Sequence, residues 1–112
     1  MSSSAFSLTA IFPADGFEVT EGEPVIGGRH GPDGQHLFCG HCMTWLFTRA
    51  HAMPQIVNVR PTMFDDTTWV APFLETFTKT KLPWAITGAL HSFAEFPPPD
   101  AYEGLMKAFA TR

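Results

Sequence analysis

The chain has 112 residues, of which 45% are hydrophobic and 16% charged, and its formal net charge is −4. This size predicts a single domain spanning residues 1–112, and the seven scattered Lys and Arg residues exclude the basic footprint that a nucleic-acid partner requires. No apolar run approaches a membrane span and the N-terminus lacks the positive region of a signal peptide, so we expect a cytoplasmic protein without a membrane partner.

The first half of the chain alternates strand patterns with turn residues. Residues 5–12 alternate apolar and other side chains, which predicts a half-buried strand. Residues 17–22 predict a second short strand that ends in a glycine turn. Residues 25–38 predict a hairpin whose tip is the Gly-Pro-Asp-Gly sequence at 31–34.

Further short elements follow the only two cysteines. Residues 44–48 and 55–60 are rich in β-branched and aromatic side chains, which predicts two more strands. Residues 65–69 look like the capped start of one helical turn, with Asp65 and Asp66 as capping residues. Residues 74–80 favour another strand.

The tail carries the single long helical pattern. Asp100 is a suitable N-cap for a helix over residues 101–111, and four apolar side chains fall on one face of it: Tyr102, Leu105, Met106 and Phe109. The chain is therefore predicted to be mostly β, with small antiparallel sheets and a C-terminal helix.

Cys39 and Cys42 are the strongest chemical feature of the sequence. They form a C-x-x-C pair at the predicted end of the hairpin, a spacing that lets both thiolates face one tetrahedral zinc ion. Gly40 would relieve the backbone where it turns. The sequence offers no second cysteine pair, so the two residues are candidates for half of a zinc site.

Three other interpretations of the pair stay open. Histidines would complete a zinc site, or the two cysteines are reduced and bind no metal. Cys-Gly-His-Cys is also the active-site sequence of disulfide isomerases, with Pro83 as the facing proline, but that fold needs a long helix after the motif, where this sequence favours a strand. The five candidate histidines are His30, His36, His41, His51 and His91.

Two arginines are further candidate binding residues, whereas the three tryptophans have a different expected role. Arg49 and Arg60 would grip a ligand carboxylate if a cleft exists beside them. The tryptophans are expected in the core or at an interface, and they are Trp45, Trp69 and Trp84.

Several segments, taken in order, resemble the glutathione-dependent formaldehyde-activating enzyme family, which includes the centromere-protein-V-like proteins. The segments are Ser4-Ala5-Phe6, residues 12–24, Phe38-Cys39-Gly40-His41-Cys42 with Leu46-Phe47 and Arg49, Val57-Asn58-Val59 with Phe64-Asp65-Asp66, Pro83-Trp84, and residues 91–97.

This resemblance implies a β-tent fold pinned by zinc and a carbon–sulfur lyase activity, in which formaldehyde and glutathione form S-hydroxymethylglutathione or the reverse. Family members carry an N-terminal segment with a C-x-C pair and a C-x-C-x-x-C cluster, which we expect to be missing here. By resemblance, Cys39 and Cys42 match half of the structural zinc site, and no residue matches the catalytic ligands.

The departures from the family pattern lower the activity that we expect of this chain. We expect weak or no activity from this chain alone, with a non-catalytic structural or interaction module as the alternative, and glutathione or another small thiol adduct as the ligand. Met43 stands where the family usually has glycine. Without the N-terminal segment, open strand edges and apolar surface predict a homodimer.

Overall fold

The structure, a computed structural model, describes residues 3–112. The chain divides into two compact units, Met1–Thr67 and Thr68–Arg112. In the described chain, no helix is long and apolar enough to cross a membrane.

An antiparallel sheet of five strands forms the first unit, with the strand order β1-β5-β4-β3-β2. The predicted hairpin is confirmed, with Pro32 and Asp33 at its tip, and so are the two strands that follow the cysteines. The strands are β1 (Ala10–Pro13), β2 (Val25–Gly31), β3 (Gly34–Phe38), β4 (Trp45–Ala50) and β5 (Ile56–Val59).

Of the two strands predicted near the N-terminus, one was wrong in extent and the other does not form. The strand predicted over residues 5–12 begins only at Ala10, where pairing with β5 starts, and Phe6 of its predicted apolar face is exposed. Residues 17–22 pair with no strand in the described chain. An alternating pattern supplies an apolar face, but a strand also needs a neighbour for its backbone hydrogen bonds.

The core of this unit lies on one face of the sheet. Phe47, Val57 and Val59 are buried at its centre. The side chains packed around them are Phe12, Phe17, Leu37 and Leu46. Burial of these apolar groups is the main term that holds the sheet together.

A β-bulge interrupts the pairing of β3 and β4. Leu37 pairs with Phe47 and Phe38 pairs with Trp45, so Leu46 is an extra residue on β4. In a regular strand, Leu46 would point away from the face of Phe47, yet both residues pack into the core. The bulge therefore turns Trp45 to the opposite face of the sheet.

The second unit contains a pair of two-residue strands, β6 (Leu74–Glu75) and β7 (His91–Ser92), and the helix α1 (Tyr102–Ala110). The β6–β7 pair is parallel, which differs from the small antiparallel sheets that the sequence predicted. The strand predicted over 74–80 stops early because Phe77 adopts a left-handed backbone conformation, with φ at 56°, and a 3-10 turn follows.

The C-terminal helix is confirmed, but its predicted cap and part of its apolar face are wrong. Asp100 lies in a preceding 3-10 turn and makes no capping bond to the helix. Tyr102 and Leu105 are half-buried, whereas Met106 is 70% exposed. Phe109 packs edge-on against Phe73, with 5.4 Å between ring centroids.

The helical turn predicted at residues 65–69 is also absent. A 3-10 turn instead occupies Pro61–Met63, just before that segment, and no helix begins at Asp65 or Asp66. Proline at the first position of the turn favours this placement, because its fixed φ suits a helical start.

Glu75 is the best-bonded carboxylate in the second unit. It accepts hydrogen bonds from the Ser92 hydroxyl at 2.7 Å and from the Thr87 hydroxyl at 2.8 Å. These two bonds, together with the charge of Lys81, hold the pKa of Glu75 below its usual range. The carboxylate thus links β6, the loop before β7, and β7 itself.

Phe47→Ala should lower the free energy of unfolding by about 3–5 kcal/mol, since it removes a buried ring from the centre of the core. Urea denaturation followed by circular dichroism measures the change. Ile11→Ala is the control, because Ile11 is 55% exposed in the same sheet and should cost much less. Equal effects of the two substitutions would contradict the assigned core.

Candidate metal centre

The two cysteines lie in a closed turn between β3 and β4, which we call the knuckle (Cys39 to Thr44). The Cys39 amide donates to the Thr44 carbonyl at 2.9 Å, and the Met43 amide donates to the Cys39 carbonyl at 2.8 Å. These bonds continue the β3–β4 ladder into the turn. The predicted position of Cys39 and Cys42 at the end of the hairpin is therefore confirmed.

The strained residue of the knuckle is Met43. Its φ is 60°, in the left-handed region that favours glycine, whereas Gly40 has no positive φ. The expectation that Gly40 relieves the turn was therefore wrong. An added Cβ at Gly40 would lie 3.3 Å from Val25 Cγ1, so Gly40 allows close packing against β2.

The Cys42 thiol is exposed and hydrogen-bonded. Its Sγ lies 3.1 Å from the hydroxyl oxygen of Thr44. This hydrogen bond is the main cause of the lowered pKa of Cys42. Hydrogen bonds with the Thr44 backbone and with the Cys39 thiol lower the pKa further. The thiolate is the form that binds metals, so the surroundings of Cys42 favour ligation. Sequence patterns gave no signal for the part that Thr44 plays.

The residues around the knuckle do not complete a tetrahedral zinc site. Within residues 3–112, no three His, Cys, Asp or Glu side chains gather where they would hold a metal ion. Zinc in structural sites almost always takes four ligands, and the two free thiols supply two. The knuckle therefore fits half of a zinc site, and we assign no chemical step to a metal.

Four of the five histidines make contacts away from the thiols. His30 contacts the Gly28 carbonyl, and His51 the Pro32 carbonyl. His36 hydrogen-bonds Thr48 at 2.8 Å, and burial is the first cause that lowers the pKa of His36. His91 packs against Phe73 in the second unit. His41 stays within the knuckle, where it is exposed.

The chain after the knuckle does not match a disulfide-exchange site. In thioredoxin-like proteins, the N-terminus of a helix follows the first cysteine and lowers its pKa. Here Trp45–Ala50 follows as strand β4, so that helix dipole is missing from the described knuckle. The fold gives no support to the redox interpretation of Cys39 and Cys42.

An open cleft of about 510 Å³ lies beside the knuckle, and Cys39 lines it. Its walls are largely apolar and include the core residues Phe47 and Val59. Three carboxylates also line it, and no Lys or Arg does so in the described chain: the acidic residues are Glu18, Glu21 and Glu23. Residues 17–22, which do not form the predicted strand, thus supply part of one wall. The carboxylates of this wall repel anions.

A second pocket, of about 310 Å³, is lined by the last residues of the knuckle, Met43 and Thr44, and includes Arg60. We call it the Arg60 pocket, and its lining residues are Ser4, Met43, Thr44, Trp45, Arg60, Thr62 and Met63. Arg49, the other predicted carboxylate ligand, instead lies over the Phe17 and Phe47 rings at about 5.5 Å. The structure therefore separates the two arginines.

The first unit is thus an antiparallel sheet with a two-cysteine knuckle between two of its strands. A protein-family model described as glutathione-dependent formaldehyde-activating enzyme matches residues 1–80. The chain belongs to this family, which confirms the resemblance found in the sequence. No curated protein and no solved structure matches the chain. The matched span includes the knuckle, the cleft and the Arg60 pocket.

Met43→Gly should stabilise the first unit by up to about 1 kcal/mol, because glycine adopts a left-handed conformation without the Cβ penalty. Thermal unfolding measures the shift. Met53→Gly provides the control, since Met53 is also exposed but has no positive φ, and glycine there should destabilise. A loss of stability in Met43→Gly as large as in the control would argue against strain at the knuckle.

Proposed function

We propose that this chain binds glutathione and its formaldehyde adduct, S-hydroxymethylglutathione, as a member of a carbon–sulfur lyase family. Family membership over residues 1–80 supports the ligand class. The observation that carries the proposal is that Cys39 of the knuckle lines a cleft large enough for a small thiol adduct. Thr44 also lines the neighbouring pocket, where the positive charge of Arg60 is located.

The reaction of this family sets what a catalytic site must do. Cleavage of S-hydroxymethylglutathione breaks the carbon–sulfur bond, sends the bonding electrons to sulfur, and releases formaldehyde as the hydroxyl proton leaves. A zinc ion with an open position would stabilise the departing thiolate. The described residues offer no three-ligand set for such an ion, so we expect weak or no turnover from the chain alone.

The lack of a three-ligand set among the described residues favours a second candidate function. This function is a binding or interaction module that keeps the fold without turnover. In both cases Cys39 and Cys42 act structurally. We propose that they supply two ligands of a zinc ion and that the same pair of a second copy completes it. A set of four cysteine thiolates is a common structural zinc site.

The edge of the sheet next to the knuckle supports a homodimer. β2 is an edge strand, and its Val25 and Ile26 are 39% and 49% exposed. Val25 also packs against Gly40 of the knuckle. Exposed apolar edge strands invite pairing with another chain, and a two-fold dimer at this edge would bring two knuckles together.

Titration of the ¹⁵N-labelled protein with glutathione should shift the amide signals of the knuckle, including Thr44. Addition of ¹³C-formaldehyde should give S-hydroxymethylglutathione at close to the uncatalysed rate, because the described residues provide no set of ligands for a catalytic metal ion. The control thiol is 2-mercaptoethanol, which lacks carboxylates and should leave the signals in place.

One outcome would count against the proposed binding, and another against the expected lack of turnover. Unchanged spectra at millimolar glutathione would remove the binding function. A rate more than about tenfold above the uncatalysed reaction would show that the chain carries a catalytic site, and would remove the module alternative.

A further inference from the structure

Arg60 is held in place from two directions at the end of β5. Its backbone amide donates to the Leu46 carbonyl at 3.0 Å, beside the β4 bulge. Its guanidinium carbon lies 4.2 Å from the centroid of the Trp45 ring, so the cation stacks on the indole. Stacking on the ring face does not use the N–H donors at the edge of the guanidinium.

The charge of Arg60 is partly buried and has no counter-ion among residues 3–112. Its Nη1 atom is buried and makes no hydrogen bond within the described residues. None of the ion pairs found in residues 3–112 involves it, and burial alone lowers the pKa of Arg60. A desolvated, unpaired cation is costly, and an anion that arrives beside it would offset that cost.

The pocket beside Arg60 suits such an anion. Three hydroxyl side chains line it, and no Asp or Glu does so among the described residues; the hydroxyl residues are Ser4, Thr44 and Thr62. The neighbouring cleft carries three glutamates and no described cation. Of the two openings that flank the knuckle, the Arg60 pocket is therefore the one whose charge attracts a carboxylate.

We propose that the Arg60 pocket is a carboxylate-binding site and that it takes a carboxylate of a glutathione-type ligand, an assignment that rests on the proposed function. Because Nη1 is buried, the donors that would meet the two carboxylate oxygens are Nε–H and Nη2–H, which form one side of the same planar fork. Thr44 lines the pocket and its hydroxyl also bonds the Cys42 thiol, so a ligand held by Arg60 would lie one side chain away from that cysteine.

The test uses S-methylglutathione, which carries both carboxylates but no free thiol, and acetate as a bare carboxylate. Both should shift the Trp45 indole N–H signal of the full chain in NMR titrations. Arg60→Gln should weaken S-methylglutathione binding by roughly tenfold to a hundredfold, as expected for loss of a charge-assisted bond. Arg60→Lys should recover only part of the affinity, because lysine lacks the planar fork.

Arg49→Gln is the matched control. It removes the same charge from an arginine that also stacks on aromatic rings but lies outside the Arg60 pocket. Affinity in this variant should stay near that of the wild type. The diester of S-methylglutathione, tested on the wild-type chain, removes the carboxylates without any substitution and should bind as weakly as Arg60→Gln binds the acid.

The outcomes separate this inference from the proposed function. Equal affinity in wild type and Arg60→Gln, or unchanged affinity for the diester, would overturn the Arg60 site while leaving glutathione binding intact. A response to acetate that needs Arg60, without binding of S-methylglutathione, would keep the carboxylate site and overturn the glutathione assignment. No response to either ligand would overturn both.

Discussion

The bulge at Leu46 is the constraint on which the rest of the first unit depends. It places Leu46 and Phe47 together in the core and turns Trp45 to the other face of the sheet. The Leu46 carbonyl then accepts the Arg60 amide, which aligns that arginine beside the Trp45 ring. Without the extra residue, the regular alternation of a strand would place Trp45 and Phe47 on the same face.

The same bulge determines where the knuckle closes. The Trp45–Phe38 pair is the last of the β3–β4 ladder, and the next backbone bond, from Cys39 to Thr44, already belongs to the turn. The four residues between them must reverse the chain, and Met43 takes the left-handed conformation that this reversal needs. Two thiols are thereby held on one short turn.

The cleft and the Arg60 pocket, which both adjoin the knuckle, differ in charge. Carboxylates line the cleft beside Cys39, and Arg60, which forms no ion pair within the described part of the chain, lines the pocket beside Thr44. An anionic thiol compound would therefore direct its carboxylates to the Arg60 pocket. This arrangement gives the proposed glutathione binding an orientation that the family relationship alone does not provide.

Much of this architecture could be predicted from the sequence. Strand propensity and the Pro-Asp turn located the hairpin and β4, and the C-x-x-C spacing located the knuckle. The pattern failed where tertiary contacts decide the outcome. Residues 17–22 found no strand partner, and Asp100 was displaced from the helix by a 3-10 turn.

The pocket residues were harder to predict for a related reason. The contact of Arg60 with Trp45 depends on a one-residue bulge, and no local sequence signal marks Leu46 as the extra residue. Thr44 is a short polar residue in a turn, and its bond to Cys42 is visible only in three dimensions. Single-domain organisation over residues 1–112 stays a prediction.

The central claim is that Cys39 and Cys42 form half of a zinc site that a second copy of the chain completes. Zinc X-ray absorption spectroscopy on the reduced protein, combined with its metal content and its mass in solution, tests this claim most directly. The account predicts a dimer with one zinc per two chains, four sulfur ligands at about 2.3 Å, and loss of the metal in Cys39→Ser. A protein without zinc, or a monomer whose zinc has only nitrogen and oxygen ligands, would contradict it.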